Sequence, residues 1–90
     1  MPKKIAVLVR DRQSEALRIS VGITIMDDII DVYILDRKLE ETEENSMNLE
    51  ALIDLGMHIY TNSKENQNIT YISADDLSRK ILEYDNILAY

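Results

Sequence analysis

Five consecutive apolar residues, Ile5-Ala6-Val7-Leu8-Val9, run up to Arg10. A run so short and unbroken belongs to a strand covered on both faces, because a half-exposed strand would alternate with polar residues. Ile29 to Leu35 repeats the pattern with Val32, Tyr33 and Ile34 and ends at Asp36-Arg37-Lys38. Strands buried on two sides need elements above and below them. These two runs therefore confine the chain to a layered α/β fold.

The remaining segments fill in the layers. Met57 to Thr61 and Ile87 to Tyr90 read as two further strands, with a shorter one at Ile69 to Ile72. Asn48 to Leu55 has helical spacing and is stopped by Gly56, a usual residue just past a helix end. Ala74 to Tyr84 puts Leu77, Ile81 and Tyr84 on one face, behind the start signal Ser73-x-x-Asp76. Glu15 to Met26 fits two periods. Its apolar residues alternate as in a strand, yet at 100° per residue they form two stripes, and a helix is required to cover the flanking strands. Leu17, Val21 and Ile25 form the stripe for the sheet; Ala16, Ile19, Ile23 and Met26 form a second stripe, expected to meet another subunit. The expectation is a single domain over residues 1–90. It is a small three-layer fold with a four- to five-stranded, mostly parallel sheet, helices on both faces, and self-association through the first helix.

Charge and composition remove many functions. Ninety residues make one core, too small to enclose a cofactor as well, so none is expected. Seventeen acids against ten bases leave a net charge of −7, which disfavours nucleic acid and anionic membranes as partners. The apolar run behind Met1-Pro2-Lys3-Lys4 is too short for a secretion signal or a membrane span, which points to the cytoplasm. The chain has no cysteine, hence no thiol nucleophile and no thiolate metal site. Gly22 and Gly56 stand alone, so no phosphate-cradling loop exists, and the sole histidine, His58, falls within a strand. Glu40, Glu41, Glu43 and Glu44 lack the spacing and turn glycine of a calcium loop and read as a solvated loop before the second helix. Asp27, Asp28 and Asp31 read as the polar turn before the second strand. No metal site and no catalytic constellation emerge.

In open parallel sheets ligands bind beyond the carboxyl ends of the strands. There the chain places Arg10, Arg12, Arg37, Lys38 and Lys64, five of its ten bases. Arg10, Arg12, Ser14, Asn62, Ser63 and Lys64 form the candidate site for a small anion, a nucleotide or an acidic partner. They converge beside the first helix only if the first and third strands are neighbours.

Lys4-Ile-Ala-Val-Leu-Val-Arg10, the two-faced helix, Asp31-Val-Tyr-Ile-Leu-Asp36 and the strand Met57-His-Ile-Tyr-Thr61 resemble small DsrE/DsrF/DsrH-like proteins. The final amphipathic helix and the closing Tyr84-Asp-Asn-Ile-Leu-Ala-Tyr90 extend the resemblance over nearly the whole chain. That family includes the TusB, TusC and TusD subunits of a sulfur relay for tRNA thiolation. The resemblance implies a compact α/β fold and oligomeric assembly. In sulfur-carrying members a cysteine near the end of the third strand bears a persulfide. Here that region reads Tyr60-Thr61-Asn62-Ser63. The implied role is a structural or regulatory subunit, a homo-oligomer or the partner of a cysteine-bearing relative, that carries no persulfide itself.

Overall fold

Alternate residues of the central strands point to opposite faces, and both faces are apolar. Ile5, Val7 and Val9 pack on one side with Ile30, Val32, Ile34 and Ile59; Ala6 packs on the other with Tyr33, Leu35 and Ile72. The computed structural model, which describes residues 3–24 and 29–90, builds a five-stranded parallel sheet from them. The elements are β1 (Lys4–Val9), α1 (Gln13–Thr24), β2 (Ile29–Ile34), α2 (Glu43–Asp54), β3 (His58–Thr61), β4 (Thr70–Tyr71), α3 (Ala74–Lys80) with a 3₁₀ turn Ile81–Glu83, and β5 (Asn86–Ala89). Their order across the sheet is β4-β3-β2-β1-β5, every pair parallel. The α/β class and the parallel sheet expected from the apolar runs are what the chain adopts.

Helices α1 and α2 cover one face through Ala16, Leu17 and Leu52, while Leu77 of α3 and Ile81 cover the other. Each helix starts where the chemistry of its first turn favours it. Thr42 accepts a hydrogen bond from Asn45 N–H and Ser73 from Asp76 N–H. Gly56 follows α2 at φ 82°, a conformation that costs a side-chain-bearing residue about 1 kcal/mol.

Several expectations change. Helix α2 begins at Glu43, not Asn48, because Thr42 caps it and Glu43 and Glu44 sit in its first turn, where the helix dipole favours acids. Half of the acidic run is thus helix. Asp31 is no turn residue: it lies inside β2 and is 3% exposed, whereas Asp27 and Asp28 lie outside the described residues. The second stripe of α1 is mostly used within the chain. Ala16 is fully buried and Ile23 packs on the core that α2 shares. Ala16 therefore has no surface to offer a partner. Ile19 is half-buried, and Met26 lies outside the described residues. Among the described residues no helix is long and apolar enough to cross a membrane.

Candidate functional site at the carboxyl rim

Strand order decides which loops meet. β2 lies between β1 and β3, so the first and third strands are not neighbours, and the rim residues converge on the loop after β2 instead. Leu35 N–H continues the ladder onto Val9 C=O (2.8 Å), and Asp36 then turns out of the sheet at φ 69°, a conformation aspartate tolerates better than most residues. Its N–H donates to Asn62 Oδ1 (2.7 Å), and Asn62 Nδ2 donates back to Asp36 Oδ1 (3.1 Å). Arg10 Nε donates to the other carboxylate oxygen at 2.9 Å. Asp36 thus joins the ends of three strands. The Asn62 hydrogen bond foremost, and then Arg10, hold its carboxyl below the ordinary aspartate value.

Beyond Asp36 the backbone of residues 37–40 is gripped by three buried carboxamides. Asn66 donates to Arg37 C=O (3.2 Å) and accepts from Leu39 N–H (2.8 Å). Gln13, at the start of α1, donates to Lys38 C=O (3.2 Å) and accepts from Glu40 N–H (2.9 Å). Asn45 donates to Glu40 C=O (3.0 Å). Asn66 is anchored in turn on Thr61 Oγ1 (2.9 Å), which donates to Ile34 C=O (2.8 Å). Each bond stabilises by about 1 kcal/mol net, and each buried amide left unpaired would cost about 1–3 kcal/mol, so these bonds together favour this arrangement of the loop. Beside it lies an open cleft of about 320 Å³ between residues 38–41, residues 65–69 and the Asn45–Leu49 side of α2.

The candidate residues are therefore only partly brought together. Arg10 and Asn62 meet through Asp36 and not directly. Arg12 is paired with Glu15 and lies against the Tyr90 ring, and Ser14 is exposed in the first turn of α1. Ser63 accepts from Glu65 N–H (3.4 Å), and Lys64 reaches over Tyr71 at 5.5 Å. Arg37 pairs with Asp11 (2.9 Å) and Lys38 with Glu41 (3.1 Å). Four of the five bases meant to attract an anion thus face a carboxylate of their own. These pairs are exposed and each adds little to stability, but together they neutralise the rim. Asn45 and Asn66 were missed because asparagine reads as surface in both a helix and a loop. Three asparagines within Asn62 to Asn68 were the available signal.

A second polar cluster lies on the α3 face. Asp31 Oδ2 accepts from Tyr84 hydroxyl (2.5 Å), which also bonds the Tyr33 hydroxyl. Tyr33 stacks on Tyr60 with ring centroids 5.2 Å apart, and Lys80 lies over Tyr60 at 4.9 Å. Among the described residues Asp31 Oδ1 has no hydrogen-bond donor; the exposed His58 lies beside it, with Nδ1 at 3.4 Å. Burial first, and then the bond to Asp31, push the Tyr84 hydroxyl far above the ordinary tyrosine value, and burial raises Tyr33 too. Both remain proton donors at neutral pH. They tie a buried carboxylate into the core and supply neither a base nor a nucleophile. Among the described residues no group of three or more acidic or histidine side chains is placed to hold a metal ion. Compared with known proteins, the chain matches no family model, no curated protein and no solved structure.

Proposed function

We propose that the protein is a cytoplasmic, non-catalytic subunit of a sulfur-relay-type assembly, one that docks a cysteine-bearing relative at its carboxyl rim. The resemblance of its strand and helix motifs to DsrE/DsrF/DsrH-like proteins supports the reading, as does a chain without cysteine. The observation that carries it is the mutual lock of Asp36 and Asn62. On that resemblance Asn62 and Ser63 fall roughly where carriers of the family hold a reactive thiolate, and Asn62 is a carboxamide with both polar atoms engaged. The loop beside it is gripped by Gln13, Asn45 and Asn66. A loop that merely joined two elements would gain little from so many buried amides, whereas a fixed surface lowers the ordering cost of docking.

Titration calorimetry with a purified cysteine-bearing relative from the same cell tests the proposal. Binding at micromolar concentration, weakened by Arg37→Glu, is expected. Absence of heat and of co-migration at about 100 μM, a concentration at which even weak pairs associate, would overturn it.

The 320 Å³ cleft favours a second reading, a binder of a small polar ligand. Its size is at the low end for ligand sites. Glu40, Glu41 and Glu65 on its wall make it a poor host for the small anion or nucleotide expected of a basic rim. A melting screen decides between the readings, since a ligand of the native state raises the melting temperature.

A further inference from the structure

We propose that the cleft beside the β2–α2 loop binds a small organic cation, an aliphatic amine or guanidinium compound whose N–H groups meet Asn45, Glu40 and Glu65. The inference rests on the second reading above, a binder of a small polar ligand, and names the class of that ligand.

A half-satisfied side chain points to a ligand. Asn45, in the first turn of α2, lines the cleft and is 2% exposed. Its Nδ2 is spent on Glu40 C=O (3.0 Å), while among the described residues its Oδ1 has no donor. A buried amide oxygen without a partner is rare in native structures. At the wall of a cleft, a bound molecule supplies that partner. The two other buried amides that grip the loop, Gln13 and Asn66, have oxygen and nitrogen both engaged. What the site lacks is therefore a hydrogen-bond donor.

Charge and shape select a donor that is a cation on a hydrocarbon stem. The charged side chains around the cleft are Lys38, Glu40, Glu41 and Glu65. Lys38 and Glu41 neutralise one another at 3.1 Å, whereas the carboxylates of Glu40 and Glu65 have no cationic partner among the described residues. Leu39, Leu49 and Ile69, all half-buried, add apolar wall between the polar groups. An ammonium or guanidinium meets the carboxylates with charge-assisted bonds while its stem covers the leucines. A bare metal ion is poorly served, because among the described residues no three acidic or histidine side chains are grouped to hold one. At about 320 Å³ the cleft suits a small molecule.

Titration of the isotope-labelled protein with putrescine and with agmatine, followed by NMR, tests the proposal. Saturable shifts are expected below about 10 mM, a range that captures weak small ligands. They should centre on the side-chain amide of Asn45 and the backbone of Ser46 and Ile69. Glu40→Gln combined with Glu65→Gln should weaken binding about tenfold or more, since two charge-assisted bonds are lost. The bonds of Glu40 to Gln13 and Asn45 are made by its backbone, so the loop keeps them in this variant. Asp75→Asn combined with Glu83→Gln removes the same charge outside the cleft and should leave binding unchanged. Absence of saturable shifts overturns the proposal, and so do shifts that leave Asn45 unmoved. Equal weakening by the Asp75 and Glu83 pair, or equal shifts with magnesium chloride, also overturns it, as general attraction to an acidic protein. Failure of the underlying reading is seen separately. If citrate or glycerol occupies the cleft and the amines do not, only the cationic class falls; if none of them raises the melting temperature or shifts the cleft, the ligand-binding reading falls too.

Discussion

Asp36 and Asn62 exchange two hydrogen bonds across the ends of β2 and β3, backbone N–H to Oδ1 at 2.7 Å and Nδ2 to carboxylate at 3.1 Å. The pair fixes the left-handed turn at Asp36, from which the whole β2–α2 loop departs. Asn62→Ala should therefore cost about 1–2 kcal/mol, the value of two hydrogen bonds, one of them to a charged group. Urea unfolding measures it. A change below about 0.3 kcal/mol, within the scatter of surface substitutions, would mean that the lock is incidental.

Acid should loosen the same point. The folded carboxyl of Asp36 titrates below its unfolded value of 3.8, so its contribution is complete above that value and disappears as pH falls through the folded one. Asp36→Asn keeps the size of the side chain and removes this titration. The stability difference between wild type and Asp36→Asn should shrink as pH is lowered from 5 to about 2.5. Parallel stability curves over that range would show that Asn62 and Arg10 do not depress the group. The effect is small, because Asp36 is 56% exposed and solvent screens its pairing with Arg10.

Asn66 is the most heavily used side chain of the rim, bonded to Arg37, Leu39 and Thr61 at once. Asn66→Leu would leave Leu39 N–H without its acceptor and Arg37 C=O without its donor, while Thr61 Oγ1 keeps Ile34 C=O and Ser63 N–H, at a cost of about 1–3 kcal/mol. Cleavage of the 37–41 segment by a protease should rise with it, since local opening exposes that loop first. Equal destabilisation with no gain in cleavage there would place the role of Asn66 elsewhere.

Legibility of the sequence divided along the same physical line as these effects. β1 was plain because two-sided burial forces an unbroken apolar run, β2 because its apolar run is broken only by Asp31, and α3 because Ser73 and Asp76 announce its first turn. Gly56 marked the end of α2 through the φ 82° that only glycine adopts freely. What stayed hidden depends on which strands are neighbours. The guanidinium of Arg10 looked available for a ligand until β2, lying between β1 and β3, brought Asp36 beside it. Asp31 resembled a turn residue because its hydrogen-bond partner, the hydroxyl of Tyr84, lies more than fifty positions away and is brought to it only by the fold of the sheet and the α3 face. A carboxylate inside a strand is the kind of exception that local pattern does not anticipate. It is also where pairing energies are largest.

For that reason Asp31 and Tyr84 should be strongly coupled. Tyr84→Phe removes the hydroxyl that serves Asp31 Oδ2, while Oδ1 already lacks a hydrogen-bond donor, so the variant should lose about 2–3 kcal/mol. In an Asp31→Leu background the same change should cost markedly less, giving a coupling of about 1–2 kcal/mol in a double-mutant cycle. Additive losses would mean that the Tyr84 hydroxyl serves Tyr33 alone.

The two glycines predict changes of opposite sign from one and the same substitution. Gly22 is exposed within α1, and a methyl group there would meet nothing within 4 Å. Gly22→Ala should stabilise by about 0.5–1 kcal/mol, because alanine loses less backbone freedom on entering a helix. Gly56 is equally open, with nothing within 4 Å, but its φ is 82°. Gly56→Ala should therefore destabilise by about 1 kcal/mol through backbone strain alone, with no steric clash to blame. Because the two sites share no partner, the double variant should fall near the sum, close to wild type. Thermal melts of the three proteins test this directly. A stabilising Gly56→Ala would show that α2 ends in a conformation open to any residue.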